Sequence, residues 1–183
     1  MTYLIHSLVP LLADGASIVN LASLAGFEWE RNSEIVKRAF RFDFGDVERF
    51  CQENEIGSPR SYFFSKEALI AWTIANRWTW RERSIRINAV SPEPIETPIL
   101  GDFLATLGDR AVEDMRLRGA GLPQDIAPAV LFLLGGGSKW ITGANVAVDG
   151  GYSHMFSEHV CRSSIANQTH GITPLSGLSA HKN

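Results

Sequence analysis

A-S-I-V-N-L-A-S, residues 16–23, is a short run of apolar and β-branched side chains. Such a run is typical of a strand that is buried on both faces of a parallel sheet. Residues 2–12, before it, carry apolar side chains at helical spacing, and Asp14-Gly15 between the two segments is a turn signal. The order of helix, turn and strand predicts an α/β domain.

The rest of the chain repeats this alternation of helices and strands. We predict the C-terminal part of a doubly wound parallel sheet of the Rossmann-like type, formed by residues 1–157. Residues 158–183 are polar and without periodicity, so we predict a disordered tail. The expected elements after residue 58 are a long helix over 61–82, a strand over 84–90, a helix over 123–134 and a strand over 144–148.

Two segments depart from the simple alternation. Residues 27–58 are rich in charge and aromatic side chains and predict an insert with short helices near 30–39 and 46–54. Residues 93–123 predict a loop with helical turns around 99–107. A loop of that length is often a functional lid, so we expect it to cover a substrate.

Composition excludes several classes of function. A net charge of −3 favours neither nucleic acid nor an anionic membrane surface as a partner. The longest aliphatic run, 129–134, is far shorter than a membrane span, and no basic segment precedes the apolar residues 4–16 as in a signal peptide. Cys51 and Cys161 have no C-x-x-C spacing, so a reduced, cytoplasmic compartment is expected.

Three pieces that carry chemistry follow one another in the chain. Ser23 ends the first strand, Tyr62-x-x-x-Lys66 starts the long helix, and the Pro-rich segment 91–98 directly follows the next strand. Ligands of parallel α/β sheets bind at the carboxyl ends of the strands. We therefore expect all three pieces to meet at one edge of the sheet.

The spacing of Tyr62 and Lys66 suggests a proton-transfer device. Residues four apart share a helix face, and a neighbouring ammonium favours the phenolate form of a tyrosine. Such a pair could move a proton to or from an alcohol oxygen that the Ser23 hydroxyl holds. Taken singly, each piece has a plainer explanation: an exposed helical pair, a turn serine and a rigid Pro-rich loop.

Together these residues resemble the short-chain dehydrogenase/reductase family. Its pattern is a strand followed by Ser, then Y-x-x-x-K, then N-x-[IV]-x-P-G-x-[IV]-x-T-P, then a terminal V-D-G-G. The resemblance covers about residues 2–156. The matching residues are Asn88, Val90, Pro92, Ile95, Thr97, Pro98 and Val148 to Gly151.

The resemblance implies a role for each matching residue. Tyr62 would be the catalytic acid/base, Lys66 would favour its phenolate and bind the nicotinamide ribose, and Ser23 would orient the substrate oxygen. The cofactor would carry the hydride, while the protein supplies position and proton transfer. No metal is implied.

The segment after the second strand would complete the cofactor site. The predicted cofactor contacts there are Pro92, Glu93, the backbone of Ile95, and Thr97. Glu93 stands where the family has Gly, which lets the backbone approach the nicotinamide closely. Its bulk and negative charge are expected to disturb cofactor binding.

The insert points to a subgroup. In this chain 38 residues separate Ser23 from Tyr62, and S-K-E-A-L-I-x-W follows the tyrosine. This is similar to bacterial coniferyl-alcohol dehydrogenases and 3α-hydroxysteroid dehydrogenase/carbonyl reductases. The resemblance implies NAD as cofactor, with NADP open, a small alcohol or carbonyl substrate, and a homodimer or homotetramer. The insert would cover the substrate entrance or alter the subunit interface, or it is a tolerated surface insertion.

The family's glycine-rich phosphate loop, T-G-x-x-x-G-x-G, does not occur in this sequence. Gly135 to Gly137 follow a helix and therefore predict a helix stop, not a phosphate cradle. By the resemblance, about three βα units, on the order of 90 residues, would precede Met1. We expect weak or no turnover from these 183 residues alone. An in-frame glycine-rich motif in the DNA upstream would restore the enzyme and distinguish it from an inactive remnant.

Two other functions remain open at this point. The chain could be an inactive remnant that acts only as a dimerisation or interaction module. It could also be a zinc or redox module, although the spacing of its candidate ligands matches no standard pattern. Those candidates are His154, His159, Cys161 and His170.

Overall fold

A parallel sheet of three strands lies at the centre of the chain. Its strands are β1 (Ser17–Leu21), β2 (Arg86–Pro92) and β3 (Asn145–Val148), in the order β1-β2-β3. This architecture, taken from a computed structural model, confirms the predicted α/β class with a parallel sheet. The structure describes residues 2–41, 44–107, 112–113, 115–116 and 119–153.

Helices flank the strands, and short 3₁₀ turns connect them. The helices are α1 (Thr2–Leu8), α2 (Ser33–Ala39), α3 (Val47–Glu53), α4 (Ser58–Ala75), α5 (Leu100–Leu107) and α6 (Pro123–Leu134). The 3₁₀ turns span Val9–Leu11, Leu24–Glu30, Phe44–Asp46, Arg81–Arg83 and Gly136–Ser138.

Alternate residues of β2 face two different helical layers. Ile87 packs with Trp72 of α4, and Ala89 packs with Leu69 of the same helix. Val90 instead belongs to the cluster formed with α6. Because successive side chains of a strand point to opposite faces, the sheet lies between α4 and α6. This explains why the strands are apolar on both faces.

The long helix and the strand after it differ from their predicted bounds. The helix ends at Ala75, because the backbone of Asn76 leaves the helical region (φ −90°, ψ 9°) and its side-chain amide donates to Trp72 O. Trp78, which we had placed on the helix, lies beyond it and is 62% exposed. Ser84 adopts a left-handed backbone (φ 53°), so β2 begins two residues later than predicted, at Arg86, and extends to Pro92.

The insert forms two short helices close to the predicted positions. Val36 of α2 and Phe50 of α3 are buried in one cluster with Phe64 of α4. The Phe50 and Phe64 ring centroids lie 5.9 Å apart. The insert is therefore packed onto the long helix that carries the Tyr-x-x-x-Lys motif.

The remaining segments bear on the predicted organisation. The chain divides into two units after residue 151. The predicted tail over 158–183 lies outside the described residues, as do all four zinc-ligand candidates. Within the described ranges, no helix is both long and apolar enough to cross a membrane.

Candidate active site

Ser23 directly extends the carboxyl end of β1. The ladder continues one residue past the strand, because Ala22 N–H donates to Val90 O at 2.8 Å. Ser23 then has an extended backbone and caps the 3₁₀ turn of Leu24–Glu30, its hydroxyl oxygen accepting from Ala25 N–H at 3.2 Å. The cap fixes this half-buried hydroxyl at the rim of the sheet.

Tyr62 and Lys66 lie one turn apart on α4, as their spacing predicts. The Lys66 ammonium nitrogen is 5.7 Å from the centroid of the Tyr62 ring. Lys66 Nζ also donates to the carbonyl of Leu21, the last residue of β1, at 3.2 Å. Lys66 therefore joins the tyrosine to the strand end that carries Ser23, while the Tyr62 side chain stays 38% exposed.

Burial lowers the pKa of Lys66. Its side chain is half-buried, and desolvation lowers the pKa of its ammonium from the usual value. The shift has the direction expected when a cation leaves water without a carboxylate partner. A carbonyl, not an acid, is the hydrogen-bond partner that the structure gives Lys66.

Close packing holds the Ser23 turn against α4. A Cβ atom built on Gly26 would lie 2.6 Å from the carbonyl carbon and 2.7 Å from the carbonyl oxygen of Lys66. Only a residue without a side chain fits this approach of two backbones. Gly26 thus sets the separation between the turn that begins at Ser23 and the helix that carries Lys66.

An ionic cluster around the buried Glu67 orients the first turns of α4. Glu67 is 3% exposed, and its two carboxylate oxygens accept from the Arg60 guanidinium at 2.8 and 2.6 Å. Asn32, next to α2 of the insert, donates to Glu67 at 3.2 Å. This bidentate pair, together with Asn32, orients the helix just beside Lys66.

The Pro-rich segment leaves β2 at the same edge of the sheet. Gly121 N–H donates to Pro94 O at 3.0 Å, and Glu96 N–H donates to Gly121 O at 2.8 Å. Ile95 therefore sits in a parallel bridge with Gly121. Thr97 is exposed, and its backbone carbonyl accepts from Leu100 N–H at the start of α5.

The carboxyl of Glu93, at this edge of the sheet, has a raised pKa. Burial, and secondly the negative charge of Asp149, raise the pKa of Glu93 to about 7. Glu93 follows the end of β2, and Asp149 follows the last residue of β3. At neutral pH the neutral form of the Glu93 carboxyl is therefore far more populated than in an ordinary glutamate.

Comparison with known proteins identifies the family. A family model described as "Enoyl-(Acyl carrier protein) reductase" matches residues 50–153, more than half of the chain. That range holds the Tyr-x-x-x-Lys motif, the Pro-rich segment and the V-D-G-G end. The chain belongs to the short-chain dehydrogenase/reductase family.

Individual members of this family resemble the chain over most of its length. A coniferyl-alcohol dehydrogenase from Pseudomonas sp. (strain HR199 / DSM 7063) is 31% identical over 85% of the chain and 63% of the relative. A cyclohexanol dehydrogenase from Acinetobacter sp. (strain SE19) is 28% identical over 82% of the chain and 49% of the relative. The crystal structure of the 3-alpha-hydroxysteroid dehydrogenase from Pseudomonas sp. B-0831 complexed with NADH superposes with a TM-score of 0.63 at 26% identity, covering 78% of the chain and 57% of that protein. The chain thus spans about half to three fifths of the length of these relatives.

Two features of this family member's site went unnoticed in the sequence. Gly26 gave no signal, because its close contact depends on how α4 packs against the Ser23 turn. The influence of Asp149 on Glu93 could have been anticipated, because each acid directly follows a strand of one parallel sheet. The carboxyl ends of neighbouring parallel strands lie at the same edge.

Proposed function

We propose that this chain supplies the acid/base half of a nicotinamide-dependent oxidoreductase that interconverts an alcohol and a carbonyl compound. The observation that carries this proposal is the position of Lys66, whose ammonium lies beside the Tyr62 ring and binds the carbonyl end of β1. The family membership supports an oxidoreductase. The close packing of the turn after β1 on α4 supports one shared site for Ser23, Tyr62 and Lys66.

Each of the three side chains then has one task. The Ser23 hydroxyl donates a hydrogen bond to the substrate oxygen and holds it at the rim of the sheet. The Tyr62 phenol oxygen takes the proton from an alcohol, or returns it to a developing alkoxide in the reverse direction. Lys66 stabilises the phenolate that forms, and its half-buried position strengthens this interaction relative to water.

The residues at this edge suit the nicotinamide riboside part of a cofactor. Lys66 offers ammonium donors to ribose hydroxyls, and the exposed Thr97 hydroxyl and Ile95 backbone lie on the segment that leaves β2. The nicotinamide ring supplies hydride acceptance or donation when bound. Glu93, beside Pro92, is compatible with a nearby cofactor chiefly in its neutral form, because a carboxylate there adds both bulk and charge.

NAD is the proposed cofactor, with NADP as the alternative. The similar 3-alpha-hydroxysteroid dehydrogenase was crystallised with NADH, which favours the former. The substrate class follows the names of the relatives: an aromatic allylic alcohol, a cyclic secondary alcohol or a 3α-hydroxysteroid. We propose that residues 93–123 cover this substrate and that the insert over 27–58 borders its entrance. A cytoplasmic homodimer or homotetramer remains our prediction for the whole protein.

The test is hydride transfer from labelled alcohols. The 183-residue chain and a version extended by the in-frame upstream sequence are given NAD⁺ or NADP⁺ with cyclohexanol, coniferyl alcohol or a 3α-hydroxysteroid. We expect reduced cofactor from the extended chain, formed more slowly when the carbinol carbon carries deuterium. Ser23→Ala should slow this reaction, whereas Ser61→Ala, at an exposed serine of α4, should leave it unchanged.

The main alternative is an inactive interaction module. If neither chain reduces either cofactor with any of the alcohols, the oxidoreductase proposal is wrong and this alternative takes its place. Turnover that survives Ser23→Ala unchanged would remove the serine from the mechanism.

A further inference from the structure

A second cleft lies at the opposite edge of the sheet from Ser23 and Tyr62. It has a volume of about 720 Å³, well within the range of small-molecule sites. It is bounded by residues that precede each strand, among them Gly15 before β1, Ser84 before β2 and Thr142 before β3. The cleft is therefore separate from the proposed active site, which lies at the carboxyl ends of the same strands.

The lining of this cleft is strongly cationic. Arg77, Arg81, Arg86 and Lys139 all line it, and no carboxylate is among its lining residues in the described part of the chain. The carboxyl-terminal ends of α4 and α6 also approach the cleft, and each contributes a partial charge of about −0.5. Four full positive charges outweigh these two partial ones, so the cleft attracts anions.

Two of the four cations are already engaged by the protein. The Arg86 guanidinium donates to the carbonyls of Leu133, Ser138 and Gly135 at 3.0–3.2 Å and so ties down the end of α6. Arg77 donates to Ile74 O at 2.9 Å and stacks on the Trp78 ring, with its guanidinium carbon 4.2 Å from the ring centroid.

The other two cations have no such partners among the described residues. Among the described residues, Arg81 and Lys139 take part in no ion pair and in no side-chain hydrogen bond. Both side chains therefore keep their full donor capacity for a ligand. Lys139 is close to Gly136, where an added Cβ would lie 3.7 Å from the lysine Cε.

Exposed indole rings accompany the free cations. Trp78 is 62% exposed and Trp140 is fully exposed, and both line the cleft. Large aromatic side chains usually lose most of their exposed surface on folding. Their location beside Arg81 and Lys139 offers flat apolar surfaces next to positive charge.

The wall of the cleft is held in place without a ligand. Gly143 has φ 73°, and a Cβ there would lie 2.6 Å from the Arg77 Cβ, so the chain before β3 packs tightly on the end of α4. The Thr142 hydroxyl donates to Arg77 O at 3.2 Å and accepts from Ile87 N–H at 3.3 Å. A preformed wall reduces the ordering that binding would require.

We propose that this cleft binds a small planar aromatic anion, whose charged group contacts Arg81 and Lys139 and whose ring packs on Trp140. The anionic group can be a phosphate or a carboxylate, because both accept from guanidinium and ammonium donors. The site does not depend on Tyr62 or on a nicotinamide cofactor.

Calorimetric titration of the 183-residue chain tests this proposal with two anions, AMP and 1-naphthoate, and two neutral counterparts, adenosine and 1-naphthylmethanol. We expect saturable binding of at least one anion. Its neutral counterpart should bind at least about tenfold more weakly, which corresponds to about 1.4 kcal/mol. The anion that binds more tightly distinguishes a phosphate site from a carboxylate site. Equal binding of an anion and its neutral counterpart, or no saturable binding of either anion, overturns the proposal.

Variants locate the binding. Lys139→Ala and Trp140→Ala should each weaken the bound anion at least about threefold, while the far-ultraviolet circular dichroism stays unchanged because both side chains lie at the surface. Lys37→Ala removes the same charge from an exposed position on α2 and should have no effect. Tyr62→Phe should also leave this binding unchanged. Three results would contradict the assignment. Lys37→Ala could abolish anion binding, or both Lys139→Ala and Trp140→Ala could bind the anion as tightly as the parent chain does. The third is a changed oligomeric state of the two cleft variants without lost anion binding.

Discussion

Replacing Gly26 by Ala tests how closely the Ser23 turn packs on α4. The added methyl would lie 2.6 Å from the Lys66 carbonyl carbon, whereas ordinary carbon contacts begin near about 3.5 Å. The turn and the helix must therefore separate by roughly 0.9 Å. Of the three nearest atoms, the Lys66 carbonyl carbon and oxygen belong to the backbone and are not moved by a rotamer change, whereas the third is Ile70 Cδ1. We therefore expect about 2–3 kcal/mol of lost stability, at the upper end for overpacking.

Urea denaturation followed by circular dichroism measures this loss as a lower transition midpoint with an unchanged slope. Gly101→Ala is the matched control: it adds the same methyl in α5, where no atom lies within 4 Å of the new Cβ. This control should keep or slightly raise the midpoint, because Ala favours helix. Equal midpoints for Gly26→Ala and the parent chain would refute the close packing from which the shared site is argued.

Two further substitutions test the charges around the site. Glu93→Gln should flatten the pH dependence of stability: because the pKa of Glu93 is raised to about 7, the folded parent chain loses stability as pH rises from about 4.5 through 7. For this partly exposed carboxyl we expect the free energy of unfolding of the parent chain to fall by about 1–2 kcal/mol between pH 5 and pH 8, measured by denaturation at the two pH values. The control is Glu48→Gln, at an exposed position. An equal change of stability with pH in Glu93→Gln and in Glu48→Gln would contradict the prediction. Arg60→Met strands the buried Glu67 carboxylate and should lower the free energy of unfolding by about 3–5 kcal/mol, whereas Arg49→Met, at an exposed ion pair, should lower it by less than about 1 kcal/mol. Similar losses in these two arginine variants would show that the Arg60–Glu67 pair contributes no more to stability than an exposed ion pair does.

Local patterns predicted most of the fold. The β-branched run before Ser23 indicated a buried parallel strand, and residues 84–90 indicated the next strand. Both are present as parallel strands of one sheet, although β1 is mostly half-buried and its last residue, Leu21, is exposed. The four-residue spacing of Tyr62 and Lys66 indicated a shared helix face, since 3.6 residues make one turn. These signals depend only on the spacing of residues along the chain, which can be read from a single sequence.

Two features of the fold were not predicted from the apolar pattern. The apolar pattern of the long helix continues to Trp78, but the helix stops when Asn76 bonds back to Trp72, so this tryptophan becomes exposed. The cationic cleft likewise combines the Arg81 turn with the Lys139 turn, which are far apart in the chain. No local pattern connects two such segments.

The central claim is that the Tyr62 phenol carries the proton of the alcohol. Steady-state reduction of NAD⁺ by an alcohol, with NADH binding measured in parallel by fluorescence, tests it in the upstream-extended chain. Tyr62→Phe should lower kcat/KM at least about 100-fold, the lower end for loss of a general acid/base, and leave the NADH dissociation constant nearly unchanged. Tyr3→Phe, at a tyrosine that is 83% exposed, should match the parent enzyme in both measurements. Turnover by Tyr62→Phe at the parent rate would contradict the account.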